Sequence, residues 1–427
     1  MIVTVFLFSL LTAMALGMPI AFALMTCGMA MMLYMGQFDA QILAQNLLSG
    51  ADSFPLMAIP FFVLAGELMN AGGISRRIVD VATAWVGHFK GGLGYVAIFA
   101  CVVMASLSGS AIADTAAVAA LLIPMMRNAG YDIPRASGLI ASGGIIAPII
   151  PPSIGFVMVG VVGNVSITKL FIAGIVPGLL MGLALVITWT VQARRDNMPR
   201  GNKLPVRQRL SATYAGIWAL LLPVAIIGGL KGGLFTPTEA AVVAVFYALF
   251  VGCVVYRELT FKHLYGLLLN AAKTSAVVMF LVAGAQVSAW LIAAANIPTE
   301  VAGLLQPLTG DPKLLMFVIM LLIFVVGTAL DFAPTILIMI PVLMPVVRMA
   351  GIDPVYFGVL FTMNNAIGLI TPPVGTVLNV VCGVAGERME PVIRAVIPYL
   401  LAQLAVLVLL ILFPQIVMLP LEYLYRP

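Results

Sequence analysis

Charge is what this sequence has least of. Only 9% of its 427 residues are Asp, Glu, Lys or Arg, while 63% are hydrophobic. Soluble domains carry about 25% charged residues. A soluble fold of this length has no way to bury so much apolar surface, so lipid must be part of its solvent. The apolar runs are continuous rather than alternating, which argues against a β-barrel. Histidine is nearly absent. His88 and His263 are the only two, both near expected membrane interfaces and neither in an HExxH pattern. A metalloprotease and a histidine proton relay are therefore unsupported. The four cysteines (Cys27, Cys101, Cys253, Cys382) form no CxxC pair, and are expected as buried small hydrophobes. No GxxxxGK[ST] loop occurs. Gly228–Gly233, "GGLKGG", has the wrong order, which argues against ATP hydrolysis. The net charge of +5 sits largely in one loop and is no nucleic-acid signal.

What remains is a polytopic, all-α membrane protein. The N-terminus is apolar at once, without a basic leader, and reads as a retained first span. The apolar segments are Ile2–Met35 (broken at Gly17-Met18-Pro19), Ser53–Met69, Gly92–Met126, Pro134–Gly163, Leu170–Val191, Tyr214–Leu230, Pro237–Tyr256, Lys273–Ala295, Lys313–Val347, Val355–Gly383 and Pro391–Leu419. "ISRRIVDVATAWVGHFKGG" between them reads as an interfacial amphipathic helix. Arg194–Arg209 holds six basic residues and one acidic, so the positive-inside rule makes it cytoplasmic. Counting spans from there puts the N-terminus in the cytoplasm and the C-terminus outside. The count also requires Gly92–Met126 and Lys313–Val347 to be re-entrant hairpins.

Those two regions are related. Pro124, Arg127, Ala129, Gly130 and Asp132 match Pro345, Arg348, Ala350, Gly351 and Asp353, each at an offset of 221. The same offset superposes Pro151-Pro152 on Pro372-Pro373 and Pro177 on Pro398. A constant offset that holds at the helix breakers indicates duplication. The span count makes the two units inverted, which is the pattern of secondary transporters with broken helices. The chain then divides into scaffold spans and an interfacial helix (1–91), a first transport repeat (92–191), a basic loop (192–212), further scaffold (213–312) and a second transport repeat (313–427).

The breaks carry the chemistry. Unwound backbone in a bilayer needs protein, water or ligand partners. At a hairpin tip one arm ends in free carbonyls, which suit a cation, and the other begins with free N–H groups, which suit a carboxylate. The tip "SLSGSAIADT" supplies Ser108 and Ser110, and the facing broken helix would add carbonyls of Ala147, Ile150 and Pro152. Adding 221 gives a second cation site at Ala329, Asp331, Gly368, Thr371 and Pro373. Asp114 follows the first tip. Its first-turn benefit of about 0.3–1 kcal/mol does not cover the about 2.5–3.5 kcal/mol cost of a carboxylate at the bilayer midplane. Asp114 is thus expected to face substrate, with Ser110, Asn364 and Asn365 as further polar contacts. Arg127 and Arg348 are expected to snorkel to the interface. An intramembrane enzyme using Asp114 and Asp331 is disfavoured, since the repeat pairs position 114 with Thr335.

"PLMAIPFFVLAGELMNAGGIS" (Pro55–Ser75), "SGSAIAD", "APIIPPSIGF" and "LITPPVGTVLN" together resemble the large membrane subunit of tripartite ATP-independent periplasmic (TRAP) transporters, over essentially the whole chain. The resemblance implies an elevator fold and Na+-driven uptake of an organic acid across the bacterial inner membrane, and the two pseudo-symmetric sites suggest at least two Na+ ions. It also implies two partners: a periplasmic substrate-binding protein and a small four-helix membrane subunit on a separate chain. The sialic acid branch is the most similar, although branches for C4-dicarboxylates and sugar acids share these motifs. A stand-alone divalent-anion/sodium symporter with similar hairpins is the alternative.

Overall fold

A computed structural model describes residues 2–305 and 310–425, so a short part of the 213–312 segment and the last two residues lie outside it. The first half runs α1 (Ile2–Ala15), α2 (Ile20–Tyr34), α3 (Ala40–Ala51), α4 (Ala58–Ala71), α5 (Ile74–Val86), α6 (Gly92–Ser108), α7 (Ala111–Asn128), α8 (Ile133–Gly144), α9 (Ile154–Gly163) and α10 (Ile167–Arg195). A linker helix, α11 (Val206–Ala215), leads to α12 (Ile217–Lys231), α13 (Pro237–Phe250), α14 (Phe261–Ala294) and α15 (Ile297–Leu305). Then come α16 (Pro312–Ala329), α17 (Phe332–Met349), α18 (Pro354–Gly368), α19 (Thr376–Ala385), α20 (Met389–Leu412) and α21 (Gln415–Leu424). Eight helices among the described residues are long and apolar enough to cross a membrane, and a ninth crossing is possible if α11 and α12 count together.

The duplication extends through the fold. Shifting α7 by 221 positions gives the bounds of α17, and α6, α8, α9 and α10 land within one residue of the starts of α16, α18, α19 and α20. The match also reaches upstream of the transport repeats. The end of α2 falls on Val255, where a π-turn (Val251–Val255) closes α13, and Gly36 falls on Arg257, both with positive φ (68° and 56°). Asp132 and Asp353 cap α8 and α18 equivalently: Asp132 accepts the Arg135 N–H, and Asp353 accepts those of Val355 and Tyr356. Such side-chain oxygens satisfy donors that have no partner in the first turn. Both Pro151-Pro152 and Pro372-Pro373 peptides are cis.

Two boundaries differ from the sequence expectation. Ile2–Met35 is not one broken span. Gly17 at φ 77° turns the chain back, and Cys27 Sγ on α2 donates to the Phe6 carbonyl on α1 at 3.4 Å. α1 and α2 are thus an antiparallel pair. The helix expected to start at Lys273 starts at Phe261 and runs for 34 residues, about 51 Å at 1.5 Å per residue. Its first turns include Lys262, His263 and Lys273, which a hydropathy cut excludes but a helix extending beyond the hydrocarbon tolerates. In the first half the equivalent stretch is split into α3 and α4 by Asp52 and the turn Phe54–Met57.

The helices fall into two groups. α1–α4 and α12–α14 pack together as a scaffold, while α6–α10 and α16–α20 form a core carrying both hairpins. α5 lays Ile74, Ile78, Val79 and Ala82 into the protein, so most of its apolar face packs on α6, α4 and α11 rather than on lipid. In the core α7 packs on α19 and α9 on α17, so each hairpin's second arm lies against the broken helix of the other repeat.

Candidate functional site

The first tip is shaped by glycine and serine. α6 ends at Gly109, whose φ of 65° is left-handed. A Cβ at that position would lie 2.4 Å from the Pro152 carbonyl oxygen, so only glycine brings the tip onto the broken helix. Ser110 then caps α7, its Oγ accepting the Ala113 N–H at 3.4 Å. Ser108 Oγ donates to Asp114 Oδ1 at 2.5 Å and accepts the Ser110 N–H at 3.2 Å. Facing this tip, residues 145–153 between α8 and α9 form a fully buried loop. Within it Ser153 Oγ donates to the Pro148 carbonyl at 2.5 Å. The carbonyls of Ala147, Ile150 and Pro152 accept no backbone N–H among the described residues. Of these, the Pro152 carbonyl meets the tip at Gly109.

The second tip is built differently. Asp331 precedes α17 without capping it by its side chain, and its Oδ1 accepts the Thr376 hydroxyl at 3.3 Å. Gly368 lies against Gly327, where a Cβ would be 2.6 Å from the Gly327 carbonyl oxygen. Val374 N–H donates to the Thr328 carbonyl at 3.3 Å. The Ala329 carbonyl accepts no backbone N–H among the described residues, whereas that of Gly368 takes the Thr371 N–H at 3.0 Å. The Thr371 hydroxyl donates to Ile367 O at 2.9 Å, leaving its lone pairs free. Ala329 and Pro373 are exposed, whereas the first loop is buried.

Both tips open onto one cavity of about 340 Å³. Ser108 to Ala113 line one side, Asp331 to Ala333 another, with Pro148, Ile154, Met158 and Leu369 between them. The scaffold closes it with Val63, Gly66, Glu67 and Asn70 of α4 and Thr274 and Val278 of α14. Gly66 is pressed on the tip: a Cβ there would lie 2.7 Å from Ser108 Cβ. Ser75 Oγ donates to Asn70 Oδ1 at 2.5 Å, which leaves the Asn70 amide N–H groups as donors. In the first turn of α7, Ala111 and Ile112 carry backbone N–H groups with no intrahelical acceptor. The wall thus combines N–H donors for a carboxylate with two acidic side chains, Glu67 and Asp331. It contains no Lys, Arg or His among the described residues.

Of the expected substrate contacts, only Ser110 is in this wall. Asp114 lies behind the tip, 2% exposed, because its arm turns toward α8 where Gly143-Gly144 leaves room. A Cβ on Gly144 would sit 1.6 Å from Thr115 Oγ1. Asn364 and Asn365 are also off the cavity. Their amide nitrogens donate to Met320 O at 2.5 Å and Phe332 O at 2.8 Å, bracing both arms of the second hairpin against α18. Arg127 and Arg348 are both exposed. Each donates to backbone carbonyls at a helix end in the opposite repeat. Glu67, Asn70 and Thr274 were not anticipated. Glu67 was findable by the reasoning applied to Asp114, since it is a lone carboxylate in the apolar run "IPFFVLAGELMNAGG".

Sequence and structure comparisons agree with this geometry. A family model described as "Tripartite ATP-independent periplasmic transporter, DctM component" matches residues 7–416. The chain is 59% identical, over 99% of its length and 100% of the relative's, to the 2,3-diketo-L-gulonate TRAP transporter large permease protein YiaN of Escherichia coli (strain K12). It is 40% identical, over 94% of both chains, to the sialic acid TRAP transporter large permease protein SiaM of Vibrio cholerae. The fold is similar to that of the Alcanivorax borkumensis YdaH transporter, with a TM-score of 0.62 over 91% of each chain at 16% identity. With its hairpin tips, broken helices and central cavity, this polytopic chain belongs to the DctM family and is a TRAP transporter large permease, not an enzyme.

Proposed function

We propose that this permease imports a sugar acid, with Na+ as co-substrate, by moving its hairpin core past the scaffold. The observation that carries this reading is the charge of the cavity wall: Glu67 and Asp331, with no cationic side chain. A substrate carboxylate at the N-terminal end of α7 gains from the free N–H groups there. Two wall carboxylates oppose it through a medium of low dielectric. Cations bound at the tips would reverse that balance, which makes anion binding depend on Na+. Ser108, Ser110 and the carbonyls of Ala147, Ile150 and Pro152 would hold one ion. Ala329, Asp331, Gly368, Thr371 and Pro373 would hold the second.

The resemblance of the motifs points to sialic acid. The higher identity to a permease named for 2,3-diketo-L-gulonate than to one named for sialic acid supports a shorter keto-sugar acid as the substrate. The family supports a periplasmic binding protein that delivers it and a small membrane subunit alongside. We infer that α1 and α2 each cross, which under the positive-inside rule puts both termini on the periplasmic side, whereas counting Ile2–Met35 as one crossing puts the N-terminus inside.

The test is uptake into proteoliposomes holding the permease and small subunit, with loaded binding protein outside. Uptake should require a Na+ gradient. Equal uptake after replacing Na+ with K+ refutes the coupling, and uptake by the permease alone favours the stand-alone symporter.

A further inference from the structure

The linker helix α11, "VRQRLSATYA", buries none of its residues. Val206, Leu210 and Tyr214 are 66%, 57% and 80% exposed. Their spacing of four puts them along one face of the helix. The stripe continues past the helix end. α11 and α12 meet at an angle of 55°, and Ile217, Leu221 and Val224 of α12 are exposed in turn. α12 is apolar up to its last residue, Lys231, so the exposed side chains before it face lipid, and the stripe carries that surface onto the inclined helix.

α11 is pinned to protein along one edge of this stripe and at its C-terminal end. Trp85 Nε1 of α5 donates to Thr213 Oγ1 at 2.9 Å, and Tyr256 OH donates to Ala215 O at 3.0 Å. Arg209, one turn before Thr213, lies on the same edge, its guanidinium carbon 5.9 Å from the centre of the Trp85 ring. Its Nε and Nη2 are covered and have no acceptor among the described residues. The neighbouring acids are engaged elsewhere. Glu258 pairs with Arg77 at 2.7 Å, Asp196 pairs with Arg135, and Asp80 faces the groove beside Arg77. The six basic residues of Arg194–Arg209 therefore leave positive charge uncompensated next to an exposed apolar stripe.

We propose that α5 and α11 form a binding site for an anionic phospholipid. Val206, Leu210 and Tyr214 enter the acyl boundary, and the headgroup phosphate docks beside Trp85 on the Nη1 side of the Arg209 guanidinium, the side that is not covered. An amphipathic helix with an exposed apolar face and flanking basic residues lies in the membrane interface and selects anionic lipid. Each engaged basic residue favours the anionic headgroup about fivefold. A partner protein on this face is the rival occupant. The surplus of basic charge and the continuity with the lipid-facing side of α12 favour the lipid.

The test uses the full-length permease with its small subunit in lipid nanodiscs. Quenching of Trp85 fluorescence, obtained by difference from Trp85→Phe, is compared for phosphatidylglycerol and phosphatidylcholine brominated near the headgroup end of the acyl chain. The brominated phosphatidylglycerol should show about fivefold higher apparent affinity. Arg209→Gln should bring the ratio close to one, and excess inorganic phosphate should leave it unchanged. Equal quenching by the two lipids overturns the proposal, as does a ratio that survives Arg209→Gln. Abolition by free phosphate reveals a soluble-anion site, and quenching by neither lipid means that protein covers the stripe. Both results also overturn it.

Discussion

Arg127 and Arg348 each finish a helix of the other's repeat. Arg127 Nη2 donates to the Ala385 carbonyl at the end of α19, at 2.6 Å. Arg348 Nη2 donates to the carbonyls of Gly163 and Asn164 at the end of α9, at 2.9 and 3.2 Å. The arginines are 221 positions apart, as are Asn164 and Ala385. A helix end in the bilayer presents carbonyls without partners and partial negative charge, and a guanidinium satisfies both.

Removing either arginine should therefore loosen the core from a distance. Arg127→Gln and Arg348→Gln should each cost about 1.5–3 kcal/mol, the range for hydrogen bonds to charged groups. Loss of monodisperse protein on a heating series should begin earlier for each variant, and the two effects should add. Wild-type thermal behaviour in both would show that the caps are idle.

Gly109 and Gly130 separate two roles of glycine. Both have positive φ, 65° and 77°, but a Cβ on Gly130 has nothing within 4 Å while one on Gly109 meets Pro152 O and Ser153 Cα. Gly130→Ala should cost only the left-handed backbone penalty of about 1–2 kcal/mol and keep transport. Gly109→Ala should push the tip off the broken helix and abolish uptake in assembled, correctly folded protein.

Among the described residues, the Asp114 carboxylate reaches the tip only through Ser108, by the 2.5 Å hydrogen bond. Its effect on Na+ dependence should thus run through the same hydroxyl. Ser108→Ala and Asp114→Ala should each raise the half-saturating Na+ concentration, and the double variant should be no worse than the more impaired single one. Fully additive losses would give Asp114 an independent role.

Glu67 supplies one of the two charges that make the cavity hostile to an anion in the absence of cations. Glu67→Gln should weaken the Na+ requirement, so that uptake at low Na+ falls less steeply than in the wild type. An unchanged Na+ profile would remove Glu67 from the coupling.

The antiparallel pairing of α1 and α2 gives a topological prediction. A cysteine at Gly17, the turn between them, should be reached by a membrane-impermeant maleimide from the cytoplasmic side, while an N-terminal tag is accessible from the periplasm. A tag accessible from the cytoplasm, with Gly17 reached from neither side, would restore a single crossing.

The breaks were legible because their cost is local. Ser108-Gly109-Ser110, the double prolines and the arginine-bearing hairpin bases stand out against apolar sequence wherever the backbone must leave the helix. The direction of side chains was not legible. Asp114 carries the composition of a substrate contact, yet Gly143-Gly144 makes room for its arm on the far side of the tip. Asn364 and Asn365 read as pocket residues but are taken up by Met320 O and Phe332 O, acceptors no one-dimensional pattern reveals. Ile2–Met35 looked like one span because Gly17-Met18-Pro19 marks a break without saying whether the chain continues or reverses. The offset of 221 carries the answer, since it sets that segment against α12 and α13, a pair already readable as two spans.

The crossed arginine caps bear on how such a chain could arise. Half of this protein, taken alone, holds a hairpin arginine but not the helix end it serves, and a helix end without its arginine. Only a second copy inserted upside down in the same membrane completes both. A single-repeat ancestor with this contact would have had to be a dual-topology dimer, its subunits inserting in opposite directions in equal number. Joining the two copies in one polypeptide fixed that ratio and let the two tips diverge.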